Sequence, residues 1–312
     1  MNRRDLLTLS TGAGLALLLP DIIFASPAPL VAGPFRFCLN TSTIMGQQPG
    51  LVQSIEIAAA AGYDGVELWI RDIQEYLEKG GTVQALAKLL HNKKLRVENA
   101  ISFTEWLVDD EAKRTAALVT LEKEMQLMAA LGCKRIAAPP AGVTKDQVLD
   151  ISKAAGRYRE ILALGRKHKV MPLLEFWGAS GTLYNFSQAV AIAAAANDAD
   201  ARILPDVYHL FRGGSGFECL NLVNGKVIDI IHMNDYPANK PVQDQTDADR
   251  VYPGDGAAPF KQILRSLQAM GGTKTLSLEL FNKTYWGQDA LLVAKTGLQK
   301  MKTLVNEVLT GK

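Results

Sequence analysis

Five side chains that close four successive apolar runs carry the chemistry open to this chain. Glu175 ends LLEFWG, Asp206 and His209 end ILPDVYH, His232 lies in IIHMND, and Glu279 lies in SLELFN. An unpaired carboxylate inside an apolar run costs roughly several kcal/mol, so each of these groups needs a partner. A shared cation is the simplest partner for Glu175, Asp206, His232 and Glu279 together. Three carboxylates and one imidazole form a mostly oxygen donor set, which favours Mn²⁺, Mg²⁺ or Co²⁺ and is compatible with Zn²⁺. Taken singly, a strand-end carboxylate is more often a cap or a salt-bridge partner. His209, three residues after Asp206, could equally cap a following helix. It is the joint pattern that points to one divalent metal ion. His91 and His168 fall at predicted helix C-termini near Lys93 and Lys169 and read as helix-dipole partners rather than ligands.

Such a convergence needs parallel strands ending at one mouth. Eight short apolar runs read as strands, at 35–39, 65–69, 95–101, 134–138, 170–176, 202–207, 227–234 and 275–280. Between them the apolar period lengthens to three or four residues. Leu118, Leu121, Met125, Met128 and Leu131 mark a helix over 111–131, with Gly132 at its C-terminal end. Val148, Ile151, Ala155, Tyr158 and Leu162 mark another over 144–165, where Thr144 and Gln147 have the form of a capping box. The segments 186–197, 258–270 and 288–309 complete the alternation. Strands alternating with helices imply parallel pairing through right-handed crossovers, and at ~250 residues the closed form is a (β/α)₈ TIM barrel. An open doubly wound sheet lacks support, because NTSTIMGQQPG after the first strand has no G-x-G-x-x-G. With no linker or low-complexity tract, residues 33–312 read as a single α/β domain.

The 312 residues are 48% apolar and 21% charged, with 34 Lys+Arg against 32 Asp+Glu. The first two values indicate a globular core, and the near-neutral balance gives no basic field for a phosphate backbone, so no nucleic-acid partner is expected. Cys38, Cys133 and Cys219 form no C-x-x-C pair, which excludes a disulfide framework and a cysteine zinc site.

Residues 1–25 read as an export signal peptide. Arg3 and Arg4 precede a short apolar run, Leu6 to Leu19, and small residues follow around Ala25, where cleavage is expected. The run is shorter than the ~20 apolar residues of a membrane-spanning helix, so no permanent membrane anchor is expected. The arginine pair followed by Asp5, Leu6 and Leu7 resembles a twin-arginine signal. That resemblance implies the twin-arginine export machinery as a partner, a folded and cofactor-loaded cargo, and a periplasmic location.

Beyond the five strand-end residues, the stretches HMNDYP (232–237), RVYPGDG (250–256) and LSLELF (276–281) are similar to the sugar phosphate isomerase/epimerase family with its xylose isomerase-like barrel. AAGYDGVELW (60–69) and ALGCKRIAAPP (130–140) resemble its second and fourth strands, so the likeness spans about residues 35–310. The resemblance implies that Glu175, Asp206, His232 and Glu279 ligate the metal, and that His209 and Arg250 hold substrate oxygens. It also implies that Glu67, matching a recurrent strand-two glutamate, stands at the rim of the pocket. Trp69, Trp106, Trp177 and Trp286 all fall just beyond strand ends. Aromatic walls suit the apolar faces of sugar rings, and Trp106 and Trp177 are assigned to that wall.

The expected reaction is isomerisation or epimerisation of a keto sugar or related hydroxy-carbonyl compound. A divalent ion polarises the carbonyl and stabilises the enediolate, while Glu175 and Glu279, on opposite faces, supply a base on one side and an acid on the other. No glycine-rich phosphate cradle follows the last two strands, where FNKTYWG offers only Lys283, so the substrate is expected to be unphosphorylated. ISFTEWLVDD (101–110) lacks the histidine that many relatives carry, and the polar 238–249 loop is expected to form a lid or rim. The same residues also fit a metal-dependent lyase or dehydratase acting on a keto sugar or inosose, and a non-catalytic sugar-binding barrel. An abasic-site endonuclease, which shares the barrel, would need more histidines and more positive charge. The sequence is compatible with a homo-oligomer.

Overall fold

A computed structural model describes residues 33–144 and 146–311. The expected export segment, 1–25, lies outside the described residues. Eight parallel strands alternate with helices in the order the sequence predicts. The strands are β1 (Phe35–Asn40), β2 (Gly65–Trp69), β3 (Arg96–Ile101), β4 (Arg135–Ala138), β5 (Met171–Glu175), β6 (Ile203–Leu204), β7 (Ile230–Met233) and β8 (Lys274–Leu278). Hydrogen bonding joins them as β3-β2-β1-β8-β7 and β4-β5-β6. β4 lies beside β3. Between β6 and β7 a parallel bridge links Asp206 to His232, with the His232 N–H donating to the Pro205 carbonyl at 3.0 Å. The ring therefore closes as a TIM barrel whose ladder is interrupted between β3 and β4 and again between β6 and β7, beside the residues of interest.

β6 is the shortest strand, two residues where six were expected. Pro205 has no N–H to give to a ladder, and Asp206 leaves the sheet to cap α7 (Val207–Arg212), its Oδ1 accepting the His209 N–H at 2.8 Å. The remaining helices are α1 (Gly50–Ala61), α2 (Ile70–Glu78), α3 (Val83–Asn92), α4 (Glu111–Ala130), α5 (Ile151–His168), α6 (Phe186–Ala196), α8 (Phe260–Ala269), α9 (Lys283–Trp286) and α10 (Ala290–Thr310). α4 ends as predicted, with Gly132 in the left-handed region at φ 74°. α5 starts seven residues later than expected. Asp150 is its N-cap, whereas Gln147 is drawn off to bond the Leu107 carbonyl and the Asp109 N–H. His168 pairs with Glu122 at 2.9 Å. Among the described residues no helix is long and apolar enough to cross a membrane.

The barrel interior is plugged by Trp69, Ile101, Ala137, Leu173, Leu204 and Ile230, one residue from each of six successive strands. The larger apolar core fills the space between strands and helices. Register also sets polar side chains level with one another. Asn40 pairs with Glu67 across β1–β2, Glu67 with Asn99 across β2–β3, and His232 with Ser277 across β7–β8.

Candidate metal centre

The register assembles a polar layer inside the barrel. Glu67 is fully buried, and both of its oxygens are occupied. Oε1 accepts from Asn99 at 2.7 Å and faces His232 Nε2 at 3.0 Å. Oε2 accepts from Asn40 at 2.9 Å and from Ser277 at 2.6 Å. Burial alone would raise its pKa, but the His232 charge and these donors outweigh it and hold the carboxyl below its ordinary value. Glu67 is thus a buried anchor for His232. The expectation of a rim position facing substrate is corrected, because no lone pair is left for a ligand and no surface is exposed.

With Nε2 engaged by Glu67, the other ring nitrogen of His232 faces acid. Nδ1 lies 3.2 Å from Glu279 Oε2 and 3.6 Å from Asp206 Oδ2, yet it has no well-aligned hydrogen-bond partner. One ligand atom from each of Asp206, His232 and Glu279 falls within 4.8 Å of the others, and all three residues are buried. An imidazole nitrogen and two carboxylate oxygens, with the second imidazole nitrogen fixed by a carboxylate, form a donor set that fits a divalent cation. Glu175 is not part of this three-atom cluster. Its Oε1 accepts from Trp177 Nε1 at 3.2 Å. Burial, opposed by His232 and reinforced by the negative charges of Glu279 and Asp206, pushes its pKa up to about 8.

Other residues brace the cluster. Asn40 Nδ2 also reaches Glu279 Oε1 at 3.0 Å. Asn234 donates to Asp206 Oδ2 at 2.8 Å while its own oxygen accepts the Tyr208 N–H. Arg250 is buried, and its Nη1 reaches Asp206 Oδ2 at 3.1 Å and Glu279 Oε2 at 2.7 Å. Its Nη2 meets His209 Nε2 at 3.1 Å and Asp247 Oδ1 at 2.5 Å. Burial opposes ionisation of Asp206, but Arg250, His209 and His232 prevail and hold its pKa well below the usual carboxylate range. His209 goes the other way, lowered first by burial and then by Arg250 against the pull of Asp206. Its Nδ1 has no protein partner.

His209 and Arg250 therefore join the cluster, and Trp177 borders it, half-buried. Trp106 does not. Its ring is buried between the barrel and α5, bonded to the Pro139 carbonyl at 2.8 Å and packed against Tyr158, so its assignment to the pocket wall is corrected. The aromatic rim is instead built from Trp69, Phe103, Trp177 and Phe281, with ring centroids 5.3 to 6.2 Å apart. Phe103 is 48% exposed. The 238–249 loop is folded rather than open. The buried Gln245 side chain bonds the Pro237 and Lys240 carbonyls, Lys240 pairs with Asp249, and Asp247 points in to Arg250. Asn40, Asn99, Ser277, Asn234 and Asp247 were not singled out from the sequence. For the first three the available signal was their level with Glu67 and His232 once the strands are set in register.

Comparison with known proteins agrees with this fold. The model of the xylose isomerase-like TIM barrel family matches residues 55–304. An inosose isomerase of Bacillus velezensis is 29% identical over 280 residues, covering 87% of this chain and 98% of that protein. The crystal structure of IolI protein with a bound zinc atom superposes with a TM-score of 0.80 at 24% identity, over 88% of this chain and 99% of that one. L-ribulose 3-epimerase superposes with a TM-score of 0.71 at 16% identity, over 88% of this chain and 96% of that one.

Proposed function

Because the chain belongs to the xylose isomerase-like TIM barrel family, we propose that it is a divalent-metal-dependent isomerase or epimerase of an unphosphorylated keto sugar or cyclic keto-polyol. The observation that carries this reading is the convergence of Asp206, His232 and Glu279 on one point, with His232 Nδ1 turned there by Glu67. Relatives named inosose isomerase, aligned over nearly their whole length, favour a cyclic polyol ketone as substrate.

Asp206, His232 and Glu279 would hold the ion, with Glu175 as a fourth ligand or as a free acid beside it. When bound, such an ion supplies Lewis-acid polarisation of a carbonyl and neutralises charge developing on its oxygen. Mn²⁺, Mg²⁺, Co²⁺ and Zn²⁺ all suit the donor set. The protein groups manage the proton. Where Glu175 stands free beside the ion, burial favours its protonated form and it can deliver a proton to carbon or oxygen, while Trp177 fixes one carboxyl oxygen and leaves the other for substrate. Glu279, on the strand three further round the barrel, is the candidate for taking a proton from the carbon beside the carbonyl. Return of a proton to the opposite face of that carbon gives epimerisation, and return to the neighbouring carbon gives ketone transposition. The free Nδ1 of His209 can bond a substrate oxygen, and Arg250 can reach one from the same side. Trp69, Phe103, Trp177 and Phe281 would pack on the apolar face of the ring.

A second reading rests on Glu175 acting as an acid in the same place. A carboxylic acid beside the reacting carbons can also protonate a departing hydroxyl, which makes a dehydratase of the site. Proton NMR in D₂O, with metal-loaded protein and a panel of unphosphorylated keto sugars and inososes, separates the outcomes. Deuterium entry beside the carbonyl with the hydroxyl count intact supports the isomerase. Loss of water supports the dehydratase. Binding of the compounds with neither change would leave a sugar-binding barrel and defeat both. We also assign residues 1–25 to export, which predicts that Arg3→Lys together with Arg4→Lys moves the protein from the periplasmic to the cytoplasmic fraction.

A further inference from the structure

We propose that Arg250 is a displaceable counter-cation that competes with the divalent ion for the Asp206 and Glu279 oxygens, and that Asp247 is the second seat to which the guanidinium withdraws. The inference rests on the metal site proposed above. Its basis is a coincidence of atoms. Asp206 Oδ2 and Glu279 Oε2 are the oxygens nearest His232 Nδ1, and they are also the two that accept Arg250 Nη1. One pair of oxygens cannot serve a guanidinium and a divalent ion at full strength, because like charges that share ligands repel in a site screened from water.

The surroundings allow a short swing rather than an expulsion. The guanidinium carbon lies 4.9 Å from the Tyr208 ring centroid and 5.2 Å from that of Phe281, so both rings can attract the cation as it moves. Nη2 already bonds Asp247 Oδ1, and Arg250 Nε has no partner to break. Asp247 sits in the folded 246–249 turn, where the Thr246 N–H and hydroxyl bond Asp249 Oδ2 at 2.8 and 2.9 Å. Its side chain is 56% exposed, so it has open surface on which to receive the guanidinium. Arg250 would then keep the carboxylates compensated before the ion arrives, and once displaced it stays beside the substrate space.

The test is Mn²⁺ titration calorimetry and thermal melting of the chelator-treated full protein and two variants. Arg250→Gln removes the competitor, so Mn²⁺ should bind at least about tenfold more tightly. Its melting midpoint without metal should fall below wild type, and saturation with Mn²⁺ should restore it. Asp247→Asn removes the second seat, so Mn²⁺ should bind several-fold more weakly. A residue that merely supports the fold would weaken metal binding when removed, so the opposite signs are the signature. Equal or weaker Mn²⁺ binding by Arg250→Gln overturns the inference. Should that variant not fold, unchanged or tighter binding by Asp247→Asn overturns it. If neither the wild type nor the variants bind Mn²⁺, Co²⁺ or Zn²⁺, the metal site itself falls, and that result is distinct from wild-type binding the variants leave unaltered.

Discussion

His232 and Glu67 form one buried unit, with Nε2 and Oε1 3.0 Å apart and neither side chain exposed. Because Glu67 engages Nε2, the ring's free nitrogen is Nδ1, aimed at Asp206 and Glu279. A carboxylate that orients a ligating imidazole is worth ~10–100-fold in metal affinity. Glu67→Gln puts an amide N–H₂ where two donors now point, whichever way the amide turns. Mn²⁺ affinity should fall by that factor, read by calorimetry, and an affinity within twofold of wild type would show that the pairing is incidental.

Metal removal should have two consequences. Dialysis against a chelator is expected to abolish turnover of the keto substrate and to lower the melting midpoint, because a ligand that binds the native state adds stability as the logarithm of one plus the ratio of its free concentration to Kd. Re-addition of single ions then identifies the effective one. Asp206→Asn should prevent recovery while leaving the N-cap of α7 in place, because an amide oxygen accepts the His209 N–H as a carboxylate oxygen does. Full turnover by protein verified as metal-free would refute the metal-dependent mechanism.

Much of this centre is legible in the sequence, for a definable reason. Asp206, His209, His232 and Glu279 interrupt apolar runs, and such an interruption is visible without coordinates. Glu67 and Trp106 are visible too, but their side-chain environments are not. Glu67 lies within GVELW, and only the β1–β2 and β2–β3 registers reveal that Asn40 and Asn99 close over it. Trp106 follows a strand end as Trp177 does, yet one ring turns into the helix layer and the other towards Glu175. Helices α1, α2 and α3 were not located, the last two because Gly80 and Gly81 split a segment whose apolar period is short on either side. Thr144 and Gln147 met the capping pattern but form only a turn, and the Gln147 side chain finds partners around residues 107–109. Local pattern cannot weigh such distant competitors.

Glu175 gives a pH test. Its folded pKa near 8 lies above its ordinary value. Between the two values the native state binds a proton that the unfolded state has released, so stability falls as pH rises across that window. In chelator-treated protein this amounts to up to about 4 kcal/mol between pH 4.5 and 8. Glu175→Gln removes the group and should flatten that part of the melting profile, leaving the variant more stable than wild type at pH 8. The same variant should lose turnover while still binding metal through Asp206, His232 and Glu279. Identical pH–midpoint curves for the two proteins would remove the protonated-acid role.

Asp235 governs the segment that delivers Arg250. Its Oδ1 accepts the N–H groups of Tyr236 and Ala258 at 2.8 and 2.9 Å, and its Oδ2 those of Gly254 and Gly256 at 3.0 and 2.9 Å. The PGDG turn is thereby folded around one carboxylate. A side chain at position 256 would meet the Tyr236 carbonyl and Asp235 itself, which is why glycine stands there. Asp235→Ala strands four donors in a partly closed turn. With some regaining water, the expected loss is about 2–4 kcal/mol, or roughly 5–15 °C in melting midpoint for a domain of this size. Asp235→Asn should recover only part of that loss, because its amide N–H₂ faces two of the donors. The backbone bridge between Asp235 and Val251 couples the turn to Arg250, so the Mn²⁺ affinity of Asp235→Ala should change along with its midpoint. A midpoint within 1 °C of wild type, at unchanged metal affinity, would show that the turn holds its shape without the carboxylate.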